Sequence, residues 1–126
     1  MKNKVDKEYI DKATTSIKDE DIKKAAENTE KINEKIKGSK TLNKFFDDLS
    51  LLGALIKDYW KGNYRNIPYK AITVIAFTLL YVLNVADIVP DIIPGFGLLD
   101  DASVVAFCLK VVGDELLKYK LWKDEN

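Results

Sequence analysis

The longest uncharged stretch of the chain runs from residue 71 to residue 86. It is apolar on every side of a helix, and only Thr73, Thr78, Tyr81 and Asn84 interrupt its apolar character. A helix that is apolar all round lies either in a protein core or in lipid. We therefore predict that residues 71–86 form a helix that is shielded from water around its whole circumference.

A second apolar segment follows a turn that is rich in proline and glycine. Its apolar positions recur at helical spacing to about Trp122, and lysines crowd its C-terminus, as the helix dipole favours. Because the connection is short, the two segments are expected to pack antiparallel as a hairpin over residues 68–122. Proline disfavours helix in the residue before it, and glycine permits positive φ. The residues expected to form the turn are Pro90, Pro94, Gly95 and Gly97.

The N-terminal half of the chain is more polar and carries weaker helical signals. Residues 4–37 show a thin apolar stripe at spacings of three and four, and Gly38 is a suitable helix stop. Residues 41–61 have a broader apolar face, with Thr41 as the expected N-cap and Gly62 as the stop. Both segments are therefore predicted to be helical.

These elements predict an all-α protein, a small helical bundle built on the hydrophobic hairpin with an amphipathic N-terminal arm. We assign residues 1–40 to a charged helical arm and residues 41–126 to the helical domain that contains the hairpin. A thin stripe buries little area by itself, so the arm either packs on a partner face or stays dynamic.

Composition removes several classes of chemistry. The chain has no histidine, which excludes Ser-His-Asp and Cys-His catalysis and most zinc sites. Its one cysteine, Cys108, lies in an apolar segment and is expected to behave as a small hydrophobe. The 20 basic and 20 acidic residues balance, which removes the simplest case for nucleic-acid binding. We predict no enzymatic activity, no cofactor and no nucleic-acid partner.

The turn and its surroundings resemble a known family. The positions that carry the resemblance are Tyr64-Arg65-x-x-Pro68-Tyr69 and Asp87-x-x-Pro90-Asp91-x-x-Pro94-Gly95-x-Gly97-x-x-Asp100-Asp101. Together they resemble the YkvA-like family, a bacterial domain of unknown function, over roughly residues 60–122. The resemblance implies a small bacterial protein with one or two membrane segments, and it implies no activity. One departure is that residues 84–86, Asn-Val-Ala, stand where the family usually has Ser-Pro before the first aspartate.

Four aspartates cluster at the turn. Asp100 and Asp101 stand where the last helix begins and suit N-capping, and Asp91 suits a turn. Asp87 follows the apolar helix, where the helix dipole disfavours a negative charge, so it needs a compensating partner. Hydrogen bonds from the turn's own backbone are the simpler partner, and a Ca²⁺ or Mg²⁺ ion is the alternative, because oxygen-rich turns suit these cations. No metal site is assigned with the spacing of a known motif.

Charge placement favours a membrane location. Basic residues precede the apolar run and follow the last helix, and the turn between them is acidic. If the hairpin inserts, this pattern places both termini in the cytoplasm. Basic and aromatic side chains also interleave just before the run, which is typical of a membrane interface. The interface candidates are Trp60, Tyr64, Arg65, Tyr69 and Lys70.

Length and charge argue against a simple span. At ~1.5 Å per residue, the 16 residues from 71 to 86 reach about 24 Å, whereas a bilayer core is ~30 Å thick. Lys110 lies in the middle of the last segment, where a charge is costly in lipid. A soluble bundle that buries residues 71–86 as its core is therefore the alternative.

The sequence thus leads to one functional hypothesis and one alternative. The first is a non-catalytic, membrane-associated accessory protein whose hairpin lies on or in the cytoplasmic side of the cell membrane, a location that the family resemblance favours. Membrane lipid is its expected partner, and the arm offers a site for a protein partner or for self-association. The alternative is a cytoplasmic, soluble helical domain for interaction or oligomerisation.

Overall fold

Helices account for all regular structure in residues 7–83 and 101–126, which are the residues that the computed structural model describes. A single 3₁₀ turn, Asn43–Phe45, precedes the fourth helix. The helices are α1 (Lys7–Thr14), α2 (Asp19–Glu27), α3 (Thr29–Lys37), α4 (Phe46–Lys61), α5 (Tyr69–Leu83), α6 (Asp101–Val111) and α7 (Gly113–Asp124). The predicted all-α class is confirmed.

The apolar run forms α5, and its neighbours bury it on all sides. Every side chain of Ile72–Leu83 is at most 8% exposed, and α1, α2, α3, α4 and α6 all contact this helix. Thr73 and Thr78 donate their hydroxyl hydrogens to carbonyls of the same helix, so their burial leaves no unpaired polar group. The predicted shielding is confirmed for residues 72–83, Ala71 is only partly buried, and residues 84–86 lie outside the described residues.

The thin stripe of the arm packs on α4 and α5 of the same chain. Ile22 of α2 and Ile32 and Ile36 of α3 are almost completely buried there. The approach is close, because a Cβ atom on Gly53 of α4 would lie 3.4 Å from a methyl carbon of Thr29. One hydrophobic core runs across residue 40, so the arm finds its partner face within the chain.

The helix ends follow the glycines, but one predicted start was wrong. α3 ends at Gly38, and α4 ends at Gly62, whose φ of 88° is accessible to glycine at little cost. Thr41 does not cap α4, which begins later, after the 3₁₀ turn. The Ser39 side chain accepts a hydrogen bond from the N–H of Leu42 at 3.1 Å, so Ser39 takes the local role expected of Thr41.

The last predicted helix is divided in two, which corrects the expectation of one continuous helix. α6 ends at Val111 and α7 begins at Gly113, and Val112 between them has φ −100° and ψ 11°. Glycine is a poor helix former, which lowers the cost of a break at this point. Nothing in the apolar spacing of the segment marked the break.

The two apolar segments pack antiparallel in their described parts, as predicted. The side chains of Thr78, late in α5, and Cys108, in α6, are hydrogen-bonded. The start of α5 at Ala71 lies instead beside the end of α6 at Val111, across a shared groove. α7 then continues along α4.

The burial of the arm leads to a stability prediction. Truncating the fully buried Ile32 to alanine should lower the free energy of unfolding by about 2–5 kcal/mol, because it leaves a cavity between α3, α4 and α5. The exposed neighbour Lys31 provides the matched control, and Lys31→Ala should change stability by less than about 0.5 kcal/mol. Urea unfolding followed by circular dichroism measures both. Equal stability of the two variants would show that the arm is not part of the core.

Candidate functional site

The linker between α4 and α5 folds back along the end of α4. After Gly62, the N–H groups of Asn63 and Tyr64 both donate to the carbonyl of Asp58, at 2.9 and 3.2 Å. Pro68 follows, and its carbonyl accepts hydrogen bonds from the first turn of α5. The linker is thereby fixed at both ends, and its Tyr64 ring packs against α7.

An aromatic cluster joins this linker to α7. The ring of Tyr64 lies 5.1 Å from that of Tyr119 and 5.0 Å from that of Trp122, measured between centroids. Tyr119 and Trp122 are stacked at 5.8 Å. Such contacts add roughly 0.5–1.5 kcal/mol per pair beyond burial. The cluster holds the C-terminal helix against the rest of the bundle.

Asp58 is the polar centre of the same region. It accepts hydrogen bonds from the Tyr119 hydroxyl at 2.6 Å, the Asn63 amide at 3.3 Å and the Lys123 ammonium at 3.4 Å. Burial acts to raise the pKa of Asp58, but the hydrogen bonds from Tyr119 and Asn63 and the charge of Lys123 outweigh it, and the pKa is lowered. Burial and the hydrogen bond to Asp58 raise the pKa of Tyr119. Asp58 is therefore a charged structural link between α4 and α7.

The five interface candidates do not share one environment. Trp60 is 38% exposed and Arg65 is exposed, with its guanidinium 4.5 Å from the centroid of the Tyr59 ring. Tyr64 is only 3% exposed, since its ring lies in the aromatic cluster. The other two candidates, Tyr69 and Lys70, are exposed at the start of α5.

Tyr69 and Lys70 connect α5 to the arm. The Tyr69 hydroxyl donates to a carboxylate oxygen of Asp19 at 2.9 Å, and this hydrogen bond together with partial burial raises the pKa of Tyr69. The Lys70 ammonium lies 3.5 Å from a carboxylate oxygen of Asp11. These surface pairs orient the arm, although an exposed ion pair contributes only about 0–1 kcal/mol.

An apolar groove, here named the α5–α6 groove, lies between the start of α5 and the α6–α7 junction. It encloses about 560 Å³, within the ~300–1,000 Å³ typical of small-molecule sites. Its apolar lining consists of Pro68, Ala71, Val74, Phe107, Val111 and Val112. The charged residues that also line it are Asp11, Lys70, Lys110 and Glu115.

A polar hollow, here named the α7 cleft, lies between the α4–α5 linker and α7. It encloses about 470 Å³. Its polar and charged lining includes Asn63, Arg65, Asn66, Lys118 and Glu125, beside the aromatic rings of Tyr64 and Trp122. The cleft adjoins the α5–α6 groove, because Lys118 in the cleft lies 3.5 Å from Glu115 in the groove.

Two buried polar atoms flank the boundary between groove and cleft. Within the part of the chain that the structure describes, neither the Tyr64 hydroxyl nor the Oε1 atom of Glu115 has a hydrogen-bond partner. Burial raises the pKa of Tyr64, with Lys118 opposing the shift and Glu115 adding to it. The Oε1 atom of Glu115 still lies 3.5 Å from the Lys118 ammonium in an ion pair, so the Tyr64 hydroxyl is the more distinctive of the two, because buried polar groups without a partner are uncommon.

The predicted turn site cannot be placed in the same way. Asp87, Asp91 and Asp100 lie outside the described residues, as do the turn-forming residues Pro90, Pro94, Gly95 and Gly97. Asp101 is the first residue of α6, and its side chain lies outside the described set. Among the residues that are described, no three carboxylate or thiol side chains come together as a metal site would require. The cation alternative stays a prediction.

Cys108 is buried and unpaired with any other cysteine. Burial raises its pKa to about 11, with the hydrogen bond to Thr78 acting in the opposite direction. A thiol with this pKa is protonated at neutral pH and is a poor nucleophile.

Sequence reasoning missed two features of the surface. Leu117 and Leu121 are 57% and 55% exposed, and they are neighbours at i and i+4 on α7. Their spacing could have identified them, because they fall between the buried positions of that helix. The role of Asp58 had no sequence signal, since its partner Tyr119 lies 61 residues away.

In residues 7–83 and 101–126, no helix is both long enough and apolar enough to cross a bilayer. The expectation of a transmembrane helix therefore has no support from the described residues.

Comparison with known proteins shows what this all-α chain is similar to. Residues 71–107 match the model of a family described as a protein of unknown function, DUF1232. The chain is also 27% identical over 84 residues to an uncharacterized membrane protein of Bacillus subtilis strain 168, YkvA. That match covers 67% of this chain and 79% of the relative. No solved structure matches. The predicted resemblance to the YkvA-like family is confirmed.

The charge state of Asp58 leads to a prediction about pH. Because its pKa is lowered by folding, its stabilising effect is complete above the unfolded value of about 4 and is lost as pH falls through the folded value. Asp58→Asn should therefore cost about 1–3 kcal/mol at pH 7 and should show a shallower loss of stability below about pH 4 than the wild type.

Asp48→Asn is the matched control, because Asp48 is an exposed carboxylate of the same helix. Urea unfolding of all three proteins at several pH values provides the measurement. Parallel pH profiles for the wild type and Asp58→Asn would contradict the assigned role.

Proposed function

We propose that this protein is a non-catalytic, membrane-associated accessory protein that binds the cytoplasmic membrane surface as a folded helical bundle. The observation that carries the proposal is the exposed apolar surface on and beside α7. Leu117, Leu121 and Val111 are each about half exposed, and adjoining exposed apolar side chains mark surfaces that bind proteins or membranes. The curated relative is named as a membrane protein, which supports a membrane location.

Basic side chains accompany this apolar surface. Lys118 and Lys120 lie on the same helix as the two leucines, and Arg65 lies across the α7 cleft from Lys118. Interfacial segments combine apolar side chains that enter the acyl boundary with cations that meet anionic headgroups. This mode of binding requires no span, and it leaves α5 in the core of the bundle.

The arm contributes to this function from the inside of the fold. The apolar stripes of α2 and α3 are buried against α4 and α5, so the arm has little apolar surface left for an external partner. The alternative function, a soluble interaction or oligomerisation domain, would instead use the α7 leucine pair, Leu117 and Leu121, against a second protein. The same experiment separates the two functions.

Vesicle flotation tests the proposal. The full chain should float with vesicles that contain anionic lipid. The double variant Leu117→Asp, Leu121→Asp should bind these vesicles at least about tenfold more weakly, because a loss of roughly 1.5 kcal/mol of apolar transfer free energy lowers the affinity about tenfold. The double variant Thr41→Asp, Asn43→Asp is the matched control, because it adds the same charge at exposed sites far along the chain from α7.

Fractionation of native cells completes the test. Recovery of the wild type in the soluble fraction without detergent, together with no flotation, would refute membrane association. If the wild type is then dimeric and the leucine variant monomeric, the interaction-domain alternative is supported in its place.

A further inference from the structure

We propose that the α5–α6 groove and the α7 cleft together form a binding site for one phospholipid, with an acyl chain in the groove and the phosphate in the cleft. The proposal rests on membrane association as proposed above, and it adds the chemistry of the ligand and the residues that bind it. It concerns a built site for a single lipid, which is distinct from general adhesion of exposed leucines to a bilayer.

The groove has the chemistry that an acyl chain requires. Its six apolar lining residues come from Pro68 and the start of α5 and from α6 and the α6–α7 junction, and its volume of about 560 Å³ is that of a small-molecule site. Val111 is 49% exposed beside it, so apolar surface is open to solvent at the groove. Burying that surface against a hydrocarbon chain is favourable by the ordinary hydrophobic effect.

The cleft has the chemistry that a phosphodiester requires. Arg65 and Lys118 are the two cations that line the cleft, and two carboxylates accompany them, that of Glu125 in the cleft and that of Glu115, which lies 3.5 Å from Lys118. The phosphodiester would bind directly to the two cationic groups and would compete with Glu115 for Lys118. Guanidinium and ammonium groups are the usual phosphate ligands in proteins. The Tyr64 hydroxyl also lacks a partner among the described residues, so a hydrogen-bond donor stands unused at this position.

The groove and the cleft adjoin each other, as the acyl chain and the phosphate of a phospholipid do. Glu115 lines the groove and Lys118 lines the cleft, and their side chains are 3.5 Å apart. A ligand that places an acyl chain in one hollow therefore has its polar end within reach of the other. Free phosphate would fill only the cleft.

Titration with a soluble short-chain lipid tests the site. Dihexanoylphosphatidylglycerol, kept below its micelle concentration, should bind the full chain with a stoichiometry of one by isothermal titration calorimetry and native mass spectrometry. Inorganic phosphate and octyl glucoside, which each supply one half of the ligand, should bind at least about tenfold more weakly than the lipid.

Paired variants address each hollow. Val111→Asp should weaken lipid binding by about tenfold, and Ala106→Asp, at an exposed site of the same helix outside the groove, should not. Ala71→Phe, which fills the groove without adding charge, should act like Val111→Asp. In the cleft, Arg65→Gln with Lys118→Gln should also weaken binding by about tenfold, whereas Lys31→Gln with Lys57→Gln should leave it unchanged.

The outcomes separate this site from membrane association in general. If the full chain floats with vesicles but does not bind the short-chain lipid, the site is refuted and membrane association stands. If octyl glucoside binds as tightly as the lipid, or if the groove and cleft variants bind like the wild type, the assignment is also refuted. A dimer that Val111→Asp dissociates, with no lipid binding, would assign the groove to a second copy of the chain.

Discussion

The structure depends on the burial of α5 from every side. Its 12 buried residues, Ile72–Leu83, include no charge, so any face left open would expose apolar area at a cost of about 25 cal/mol for each Å². No single helix can cover a cylinder of this kind, and five helices contact it. The arm is therefore held in place because it buries apolar surface of α5, and a narrow apolar stripe on each arm helix is enough for this.

The sequence predicts the parts of this fold that have a local physical cause. An uncharged run gives α5, and a glycine after a basic last turn ends α3 and α4, because both signals act within a few residues. The break at Val112 and the late start of α4 were not predictable in this way. They depend on how α6, α7 and the 3₁₀ turn meet the rest of the core, and intrinsic propensity is a weak guide when packing decides.

In the candidate site, too, local sequence patterns predict some features and distant packing partners decide the others. The aromatic and basic residues around the start of α5 were predicted to be interfacial from their composition alone, but Tyr64 is buried while Trp60 is partly exposed, although the two lie four residues apart. An amphipathic ring is compatible with either environment, so only its distant partners decide. Tyr64 acquires those partners, Tyr119 and Trp122, from a helix more than 50 residues later. Asp58 is likewise defined by α7, and no local pattern could have identified it.

A membrane location is compatible with a buried α5 only if the protein binds the membrane surface and keeps α5 inside the bundle. Lipid tails are about as apolar as a protein core, so moving α5 from the bundle into a bilayer would bring little gain from burial. The move would also remove α2 and α3 from α5, and their stripes of Ile22, Ile32 and Ile36 would lose their partner face. The outer faces of these helices carry acidic and basic residues that lipid does not accept. Binding at the surface through the exposed side chains of α7 requires none of these losses, and for this reason we favour it over insertion of the hairpin.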